Sequence, residues 1–287
     1  MNLKATDRTT ILYNLILAIF IFIFRGKIEA YAYHLAFNLS IILLVLFLSF
    51  GRKSRLAVGT VSRWYPLGLY ALFYYQTGLI NTVVVPHFLD GFFMNLDVLI
   101  FGKFPGFFLH GNPGNAFLDE FFHFFYFSFY LIIPLTGILL SRKDVSLFES
   151  FVFQLSSLFY VCYFIFIILP VEGPIALRTE YAHHEGPFRT LVDFIYAKGE
   201  NPGAAFPSSH VAAAFLVAWW GGTQFKRMKI FCWLTFLFLS ISTVYCMFHY
   251  AVDVMAGVLL GGLAILTFHW AGGKRNPERI LQGKGKR

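Results

Sequence analysis

The sequence predicts an all-α bundle of membrane-spanning helices, and two observations support that fold class. Of the 287 residues, 57% are hydrophobic and only 13% are charged, whereas a soluble domain carries about 25% charged residues. The apolar residues also collect in long stretches, which is the pattern of helices that cross a bilayer. This composition excludes a disordered chain, a coiled coil and a secreted disulfide scaffold.

Eight apolar stretches are predicted to form the helices of this bundle. Charged or Gly/Pro-rich segments separate them at approximately 10–24, 32–50, 64–85, 116–140, 147–169, 207–222, 230–247 and 250–271. A span needs about 20 residues, so the first and sixth stretches are short. The Phe-rich segment 87–113 is broken by glycine and proline and suggests an interfacial or re-entrant piece.

The chain is expected to divide into an N-terminal pair of membrane helices at 1–63, a six-helix core at 64–271 and a basic tail at 272–287. The core contains a polar loop at 170–205 with five acidic residues. In so apolar a chain, a polar loop of that length is where chemistry is expected.

The positions of the basic residues predict the orientation in the membrane. With eight spans, both termini lie on one side, and that side carries 17 of the 23 Lys and Arg residues. The positive-inside rule makes it cytoplasmic. The net charge of +8 therefore reflects topology and contact with anionic lipids, and no nucleic-acid partner is expected. The three cysteines fall in apolar stretches and are predicted to be buried and unpaired.

The sixth and eighth stretches each begin with a histidine motif on the predicted extracytoplasmic side. Pro207-Ser208-Ser209-His210 is a good helix start, where free backbone N–H groups and the helix dipole attract anions. In His249-Tyr250-Ala251-Val252-Asp253, the i,i+4 spacing brings an imidazole and a carboxylate together on one helix face. A charged group inside a span costs about 2.5–3.5 kcal/mol and usually has a partner and a function.

Each motif alone also has a structural interpretation, either a capped helix with an interfacial histidine or a histidine satisfied by an aspartate. Together, His210, His249 and Asp253 are expected to converge and to supply a nucleophile and a general acid at an anion site. His183-His184-Glu185 suggests zinc, but solvated residues or substrate contacts are the favoured interpretation. Neither a metal nor a cofactor is expected.

The two motifs, whose histidines are 39 positions apart, resemble the second and third signature motifs of the type 2 phosphatidic acid phosphatase superfamily of lipid phosphatases and phosphotransferases. The resemblance covers about 64–271 and leaves the first two helices as an N-terminal addition. It implies that His249 attacks phosphorus and becomes a phosphohistidine, that Asp253 holds His249 and that His210 protonates the leaving oxygen. It implies no metal.

The sequence departs from the phosphatase pattern where phosphate-binding cations are usual. The Lys and the Arg-Pro pair of that pattern are absent from 169–174, and Ser242-Thr243 stands where the third motif usually begins with Ser-Arg. The stretch 249–254 is instead similar to sphingomyelin and inositol phosphorylceramide synthases, and 96–102 loosely resembles the latter branch. A phosphodiester offers fewer free oxygens than a monoester dianion, so fewer cations suffice.

The candidate substrate-binding residues come from the sixth helix start and the polar loop. They are Ser208, Ser209, Arg189, Arg178 and Lys198, with Arg189 preferred over Arg178. The favoured function is transfer of a phospholipid headgroup to a lipid alcohol, with membrane lipids as substrates. The alternatives are a phosphatase acting on a phosphatidic-acid-like or isoprenyl phosphate, a proton-coupled transporter and a structural membrane subunit. Headgroup, acceptor lipid and oligomeric state stay open.

Overall fold

The computed structural model describes residues 3–51, 57–110, 115–181, 185–199 and 201–272, and this part of the chain is all-α. Its helices are α1 (Ala5–Ile23), α2 (Tyr31–Gly51), α3 (Ala57–Gly78), α4 (Asp90–Phe101), α5 (Pro105–His110), α6 (Ala116–Lys143), α7 (Val145–Ile168), α8 (Ile175–Tyr181), α9 (Pro187–Gly199), α10 (Ser209–Gln224), α11 (Lys229–Tyr245) and α12 (Ala251–Gly272). A parallel bridge joins Val171 to Ala204.

Each of the eight predicted stretches overlaps one long helix, so the predicted all-α membrane bundle is confirmed, although α3 begins and ends seven residues before the predicted 64–85. Within the described ranges, six helices are long and apolar enough to cross a membrane, namely α1, α2, α6, α7, α11 and α12. The other two long helices do not meet this criterion. Helix α10 has 16 residues, and the 22 residues of α3 include the polar Ser62, Arg63 and Gln76.

Helix α10 lies at the centre of the bundle, where it packs against α6, α7, α11 and α12. Small residues make the contact with α12 close. A Cβ atom on Gly257 would lie 2.6 Å from the backbone oxygen of Ser208, and one on Gly261 would lie 3.0 Å from that of Ala212. The glycines of α12 thus let the two helix backbones touch, which is typical of small residues at a contact between membrane helices.

The bundle has two ends, which are called the Lys4 end and the His249 end. At the Lys4 end, Lys4 forms an ion pair with Glu149 near the start of α7. Helix α1 also packs against α7 there, and the buried carboxylate of Asp7 accepts a hydrogen bond of 2.9 Å from the Tyr65 hydroxyl. At the opposite, His249 end, α6 begins, α7 ends, and α11 leads into α12.

The segment 170–205 is not the open polar loop that the sequence predicts, because it folds into α8 and α9. Apolar side chains recur every four residues in α9, at Phe188, Val192 and Tyr196, and α9 packs against α6. The Glu120 carboxylate of α6 accepts the backbone N–H groups of Phe188 and Arg189 at 2.8 and 3.1 Å. The acidic composition of the whole segment concealed this amphipathic period.

Helices α4 and α5 form from the Phe-rich segment at the same end of the bundle. Helix α4 has one side against α12, where Phe93 and Asp97 are buried, while Phe92 and Leu99 are exposed on another side. The interfacial or re-entrant placement of this segment stays a prediction.

The remaining sequence predictions fall on the cysteines and on segments that the structure does not describe. Burial is confirmed for Cys162 and Cys246 but is wrong for Cys232, which is partly exposed. The histidines of the considered zinc motif, His183 and His184, and the basic tail from residue 273 onward lie outside the described residues.

Candidate active site

The structure brings His210, His249 and Asp253 together at the His249 end. Ser208 caps α10, since its Oγ accepts the N–H of Val211 at 3.3 Å, and His210 lies in the first turn of that helix. His249 precedes α12. Its Nδ1 lies 3.5 Å from Oδ2 of Asp253, and its ring centroid lies 5.7 Å from that of His210. Two imidazoles and one carboxylate thus converge on one small volume.

A direct backbone contact joins the two helix starts. The N–H of Ser208 donates to the carbonyl oxygen of Asp253 at 3.0 Å, and the N–H of Tyr250 donates to Oδ2 of Asp253 at 2.9 Å. Ser208, Ser209 and Asp253 are all buried. The spacing of the two histidines is therefore set by backbone hydrogen bonds and not by mobile side chains.

The turn between α11 and α12, residues 246–250, is called the His249 turn. Met247 has the left-handed φ of 58°, which costs a residue with a side chain about 1–2 kcal/mol. The backbone N–H groups of Phe248 and His249 both donate to the carbonyl oxygen of Thr243 at 3.0 Å. Such a conformation persists only where the surroundings fix it, and strained backbone of this kind is frequent at functional sites.

Several buried polar atoms of this site have no hydrogen-bond partner within the described part of the chain. They include Nδ1 of His210, Nδ1 of His249 and Oδ1 of Asp253. Nearly all buried polar groups of folded proteins are paired. A group of unpaired atoms on convergent histidine and aspartate side chains is the pattern of a site that acts on a ligand.

Aromatic side chains of α6 enclose the His210 ring. The ring centroid of His210 lies 4.1 Å from that of Phe129 and 5.1 Å from that of Tyr126, which stacks on Phe248 at 4.3 Å. An apolar wall excludes water and lowers the local dielectric constant, so charges that develop beside it interact strongly.

Burial of His249 lowers its pKa from 6.5 to about 4, while the nearby backbone carbonyl of Ala205 opposes the shift. At neutral pH the imidazole is therefore uncharged, and a ring nitrogen lone pair is available to attack an electrophile.

We expect protonation of His249 to leave turnover unchanged between pH 7 and pH 5 and to lower it as the pH approaches 4. Protonated imidazole has no lone pair with which to attack. The unfolded chain binds the proton with the ordinary pKa, so stability is also expected to decline as the pH falls from 6.5 towards 4. Initial rates and the thermal midpoint measured across this range check both trends. An acidic limb centred near 6.5 would contradict them.

Arg178 is the cation that contacts the His249 turn. Its Nε donates to the carbonyl oxygen of Cys246 at 3.1 Å, and its guanidinium carbon lies 4.5 Å from the ring centroid of Phe248. It also forms an ion pair with Asp193. Arg178 belongs to α8, so the folded 170–205 segment places a positive charge beside Phe248, the residue that precedes His249.

The other two predicted cations lie differently. Arg189 is 3.6 Å from the carboxylates of Asp119 and Asp193, on the α6 and α9 side. Lys198 is exposed near the end of α9, and no described contact joins it to the histidines. The geometry therefore favours Arg178 over Arg189, which reverses the preference drawn from the sequence.

Sequence reasoning missed a second histidine and aspartate pair at this end. His123 is buried in α6, its Nδ1 lies 2.7 Å from the carbonyl oxygen of Asp119, and its Nε2 lies 3.1 Å from Nη2 of Arg178. The signal was present, because Asp119 and His123 have the same i,i+4 spacing inside an apolar helix as His249 and Asp253. This pair holds the Arg178 guanidinium from the α6 side.

Comparison with known proteins agrees with this geometry. No curated protein and no solved structure matches the chain. A family model described as PAP2 superfamily matches residues 92–267, which is more than half of the chain and includes both histidine motifs. Helices α1 to α3 precede the matched range. The chain therefore belongs to the PAP2 superfamily and is a multi-pass membrane enzyme of the phosphatase and phosphotransferase class.

Proposed function

We propose that this enzyme transfers the phosphate-bearing headgroup of a membrane phospholipid to a lipid alcohol through a covalent intermediate on His249. One observation carries the proposal. The buried imidazole of His249 and the partly buried imidazole of His210 lie 5.7 Å apart between centroids, and His249 has the Asp253 carboxylate 3.5 Å from its Nδ1. That arrangement suits a nucleophile and a general acid on opposite sides of one phosphorus atom.

In the first step, a ring nitrogen of His249 attacks phosphorus and the bond from phosphorus to the diacylglycerol oxygen breaks. His210 enters this step as an imidazolium, which the negative charge of the bound phosphate favours. It gives its proton to the leaving oxygen and becomes neutral, so diacylglycerol departs as a neutral alcohol. The positive charge that develops on the His249 ring is stabilised by the Asp253 carboxylate. In the second step, a lipid hydroxyl attacks phosphorus, His210 takes its proton, and the bond to His249 breaks.

The aromatic wall supports transfer over hydrolysis. Phe129 and Tyr126 line the His210 ring with apolar surface, and Phe248 extends that surface by stacking on Tyr126. Water is disfavoured there, while the chain of a lipid alcohol gains by entering. Among the described residues, Arg178 is the cation in contact with the His249 turn, and one such cation suits the single negative charge of a phosphodiester.

The second candidate is hydrolysis of a phosphatidic-acid-like or isoprenyl phosphate, with water as the acceptor. The nearby Arg189 favours it, since two cations suit a monoester dianion. Membership of the PAP2 superfamily favours a phosphatase or phosphotransferase over the transporter and structural-subunit hypotheses.

The active site is proposed to face the extracytoplasmic side. The Lys4 end carries Lys4, Arg63 and Lys143, and Lys143 donates to the backbone oxygen of Gln224 at the end of α10. The sequence count of 17 of 23 basic residues on that side supports its cytoplasmic assignment. Since the two ends of the bundle lie on opposite sides, the His249 end faces outward.

The activity is tested with purified protein and phospholipids labelled in the phosphate, supplied with ceramide, or with a diacylglycerol whose acyl chains differ from those of the donor, as the acceptor. Phosphatidylinositol and phosphatidic acid are compared as donors. Label that appears in a new lipid supports transfer, and label that appears only as inorganic phosphate supports the second candidate. Absence of both products with every donor would refute both functions.

Replacing His210 by Ala is expected to slow turnover of natural lipids by about 10²- to 10⁴-fold, which is the range for loss of a general acid. A lipid phosphate with a 4-nitrophenyl leaving group should lose far less activity, because nitrophenolate departs without a proton. His269→Ala, in the last turn of α12, is the matched control. Equal losses with both substrates would contradict the role of His210 as an acid.

A further inference from the structure

Helix α4 carries a carboxylate that binds the start of α12. Both oxygens of Asp97 are used, since Oδ2 accepts the N–H of Ala251 and Oδ1 accepts the N–H of Val252, each at 2.9 Å. The Asp97 side chain is fully buried. Its two partners are the second and third residues after His249, and they lie 154 and 155 positions away in sequence.

A second carboxylate of α4 holds the other flank of the His249 turn. Asp90 accepts the N–H groups of Glu172 and Gly173 at 3.1 and 2.8 Å and the hydroxyl of Tyr250 at 3.1 Å. Gly173 has a left-handed φ of 91°, and a Cβ atom there would lie 2.5 Å from the backbone oxygen of Phe248. One short helix therefore binds the three residues that follow His249 and also holds Gly173 against the backbone of Phe248.

The contact with Asp97 supplies what the α12 sequence lacks. The first N–H groups of a helix have no partner inside the helix, and a Ser, Thr, Asp or Asn just before the helix usually accepts one of them. Tyr250 stands at that position and offers no such acceptor. Asp97 provides it from another helix and also places a negative charge at the positive end of the helix dipole.

We infer that Asp97 is a positioning residue for His249, and that α4 is the element that holds the nucleophile in place. The inference rests on the proposed function of His249. A cap that only stabilised α12 would make the folded protein less stable when lost. A positioning residue also sets the direction of the attacking nitrogen, and a misplacement of about 1 Å costs roughly 10²-fold in rate.

The test compares Asp97→Asn and Asp97→Glu with Asp144→Asn in the full-length protein. Asp144 is a matched control, because its carboxylate accepts the N–H of Ser146 and caps α7 at the Lys4 end. For each variant, kcat, KM, the thermal midpoint and hydrogen exchange of the 248–254 peptide are measured. Asparagine places an NH₂ group against a donor N–H, whereas glutamate keeps two acceptor oxygens.

We expect Asp97→Asn to lower kcat by about 10- to 100-fold with KM within about threefold, while Asp97→Glu recovers part of kcat. Exchange at Ala251 and Val252 should accelerate in Asp97→Asn and stay unchanged in Asp144→Asn. The inference is overturned if kcat per folded molecule is unchanged, or if kcat falls no more than in Asp144→Asn.

Two further measurements keep the inference testable. If Asp97→Asn does not fold, Tyr250→Phe removes only the hydroxyl that Asp90 accepts, and a fall in kcat without a change in the thermal midpoint supports positioning by α4. An unchanged kcat in that variant refutes it.

If the wild type transfers no label, the proposed function fails. Hydrogen exchange of Asp97→Asn then tests the inference without activity. Unchanged exchange at Ala251 and Val252 overturns it, and faster exchange confined to 248–254 supports it.

Discussion

Replacing His249 by Gln is expected to abolish turnover of every lipid phosphate, with a loss of at least about 10³-fold in kcat. Glutamine has a similar volume and remains uncharged, but its amide nitrogen has no lone pair available for attack on phosphorus. The covalent intermediate therefore cannot form. The measurement is the initial rate at saturating donor lipid, together with acid-labile phosphate retained on the protein when labelled donor is supplied without an acceptor.

The matched control for this variant is His269→Gln. His269 lies in the last turn of the same helix, where its ring contacts that of Trp219 edge to face at 5.2 Å. We expect wild-type kcat in the control. Turnover by His249→Gln within tenfold of the wild type, in protein of normal thermal midpoint, would show that His249 is not the nucleophile.

Replacing Asp253 by Asn is expected to lower kcat by about 10²- to 10⁴-fold, the scale seen when an aspartate behind a catalytic histidine loses its charge. The amide oxygen still accepts the N–H of Tyr250, so the backbone of the helix start is retained. What is lost is the negative charge that stabilises His249 as positive charge develops on its ring. The measurement is kcat at saturating donor lipid, with the thermal midpoint recorded in parallel.

Asp7→Asn separates this effect from the general cost of altering a buried carboxylate. Asp7 is also fully buried, accepts a hydrogen bond from Tyr65 and lies at the Lys4 end. We expect its replacement to change the thermal midpoint and to leave kcat per folded molecule unchanged. If both variants lose kcat in proportion to folded protein, Asp253 has only a structural role.

The long helices were predictable because bilayer thickness fixes their length and the chain is apolar throughout. The apolar stretches therefore located all eight long helices, with the bounds of α3 displaced by seven residues. The shorter helices could not be predicted in the same way, since α4, α5, α8 and α9 form in segments rich in glycine, proline or charged residues. Phe188, Val192 and Tyr196 recur every four residues, but the pattern has only three members. The average polarity of the segment therefore indicates a loop, although the spacing is helical.

The convergence of His210 and His249 was predictable from topology, since two helices that begin on the same side bring their first turns together. The partners of Asp97 were not, because they are backbone N–H groups, which every residue except proline carries. The sequence was equally unable to show which of Arg178 and Arg189 contacts the His249 turn. It depends on how α8 and α9 fold against α6, and sequence spacing contains no information on that packing.

The hydrogen bond from Ser208 to the Asp253 carbonyl has a consequence for how substrate range can change. It makes the starts of α10 and α12 one rigid block, with the contact at Gly257 locking the two backbones below it. Acid and nucleophile then keep their separation whatever lipid is bound. We propose that differences in headgroup are accommodated by the helices that approach this block through side chains, α8 among them, so that selectivity and chemistry reside in separately variable parts of the chain.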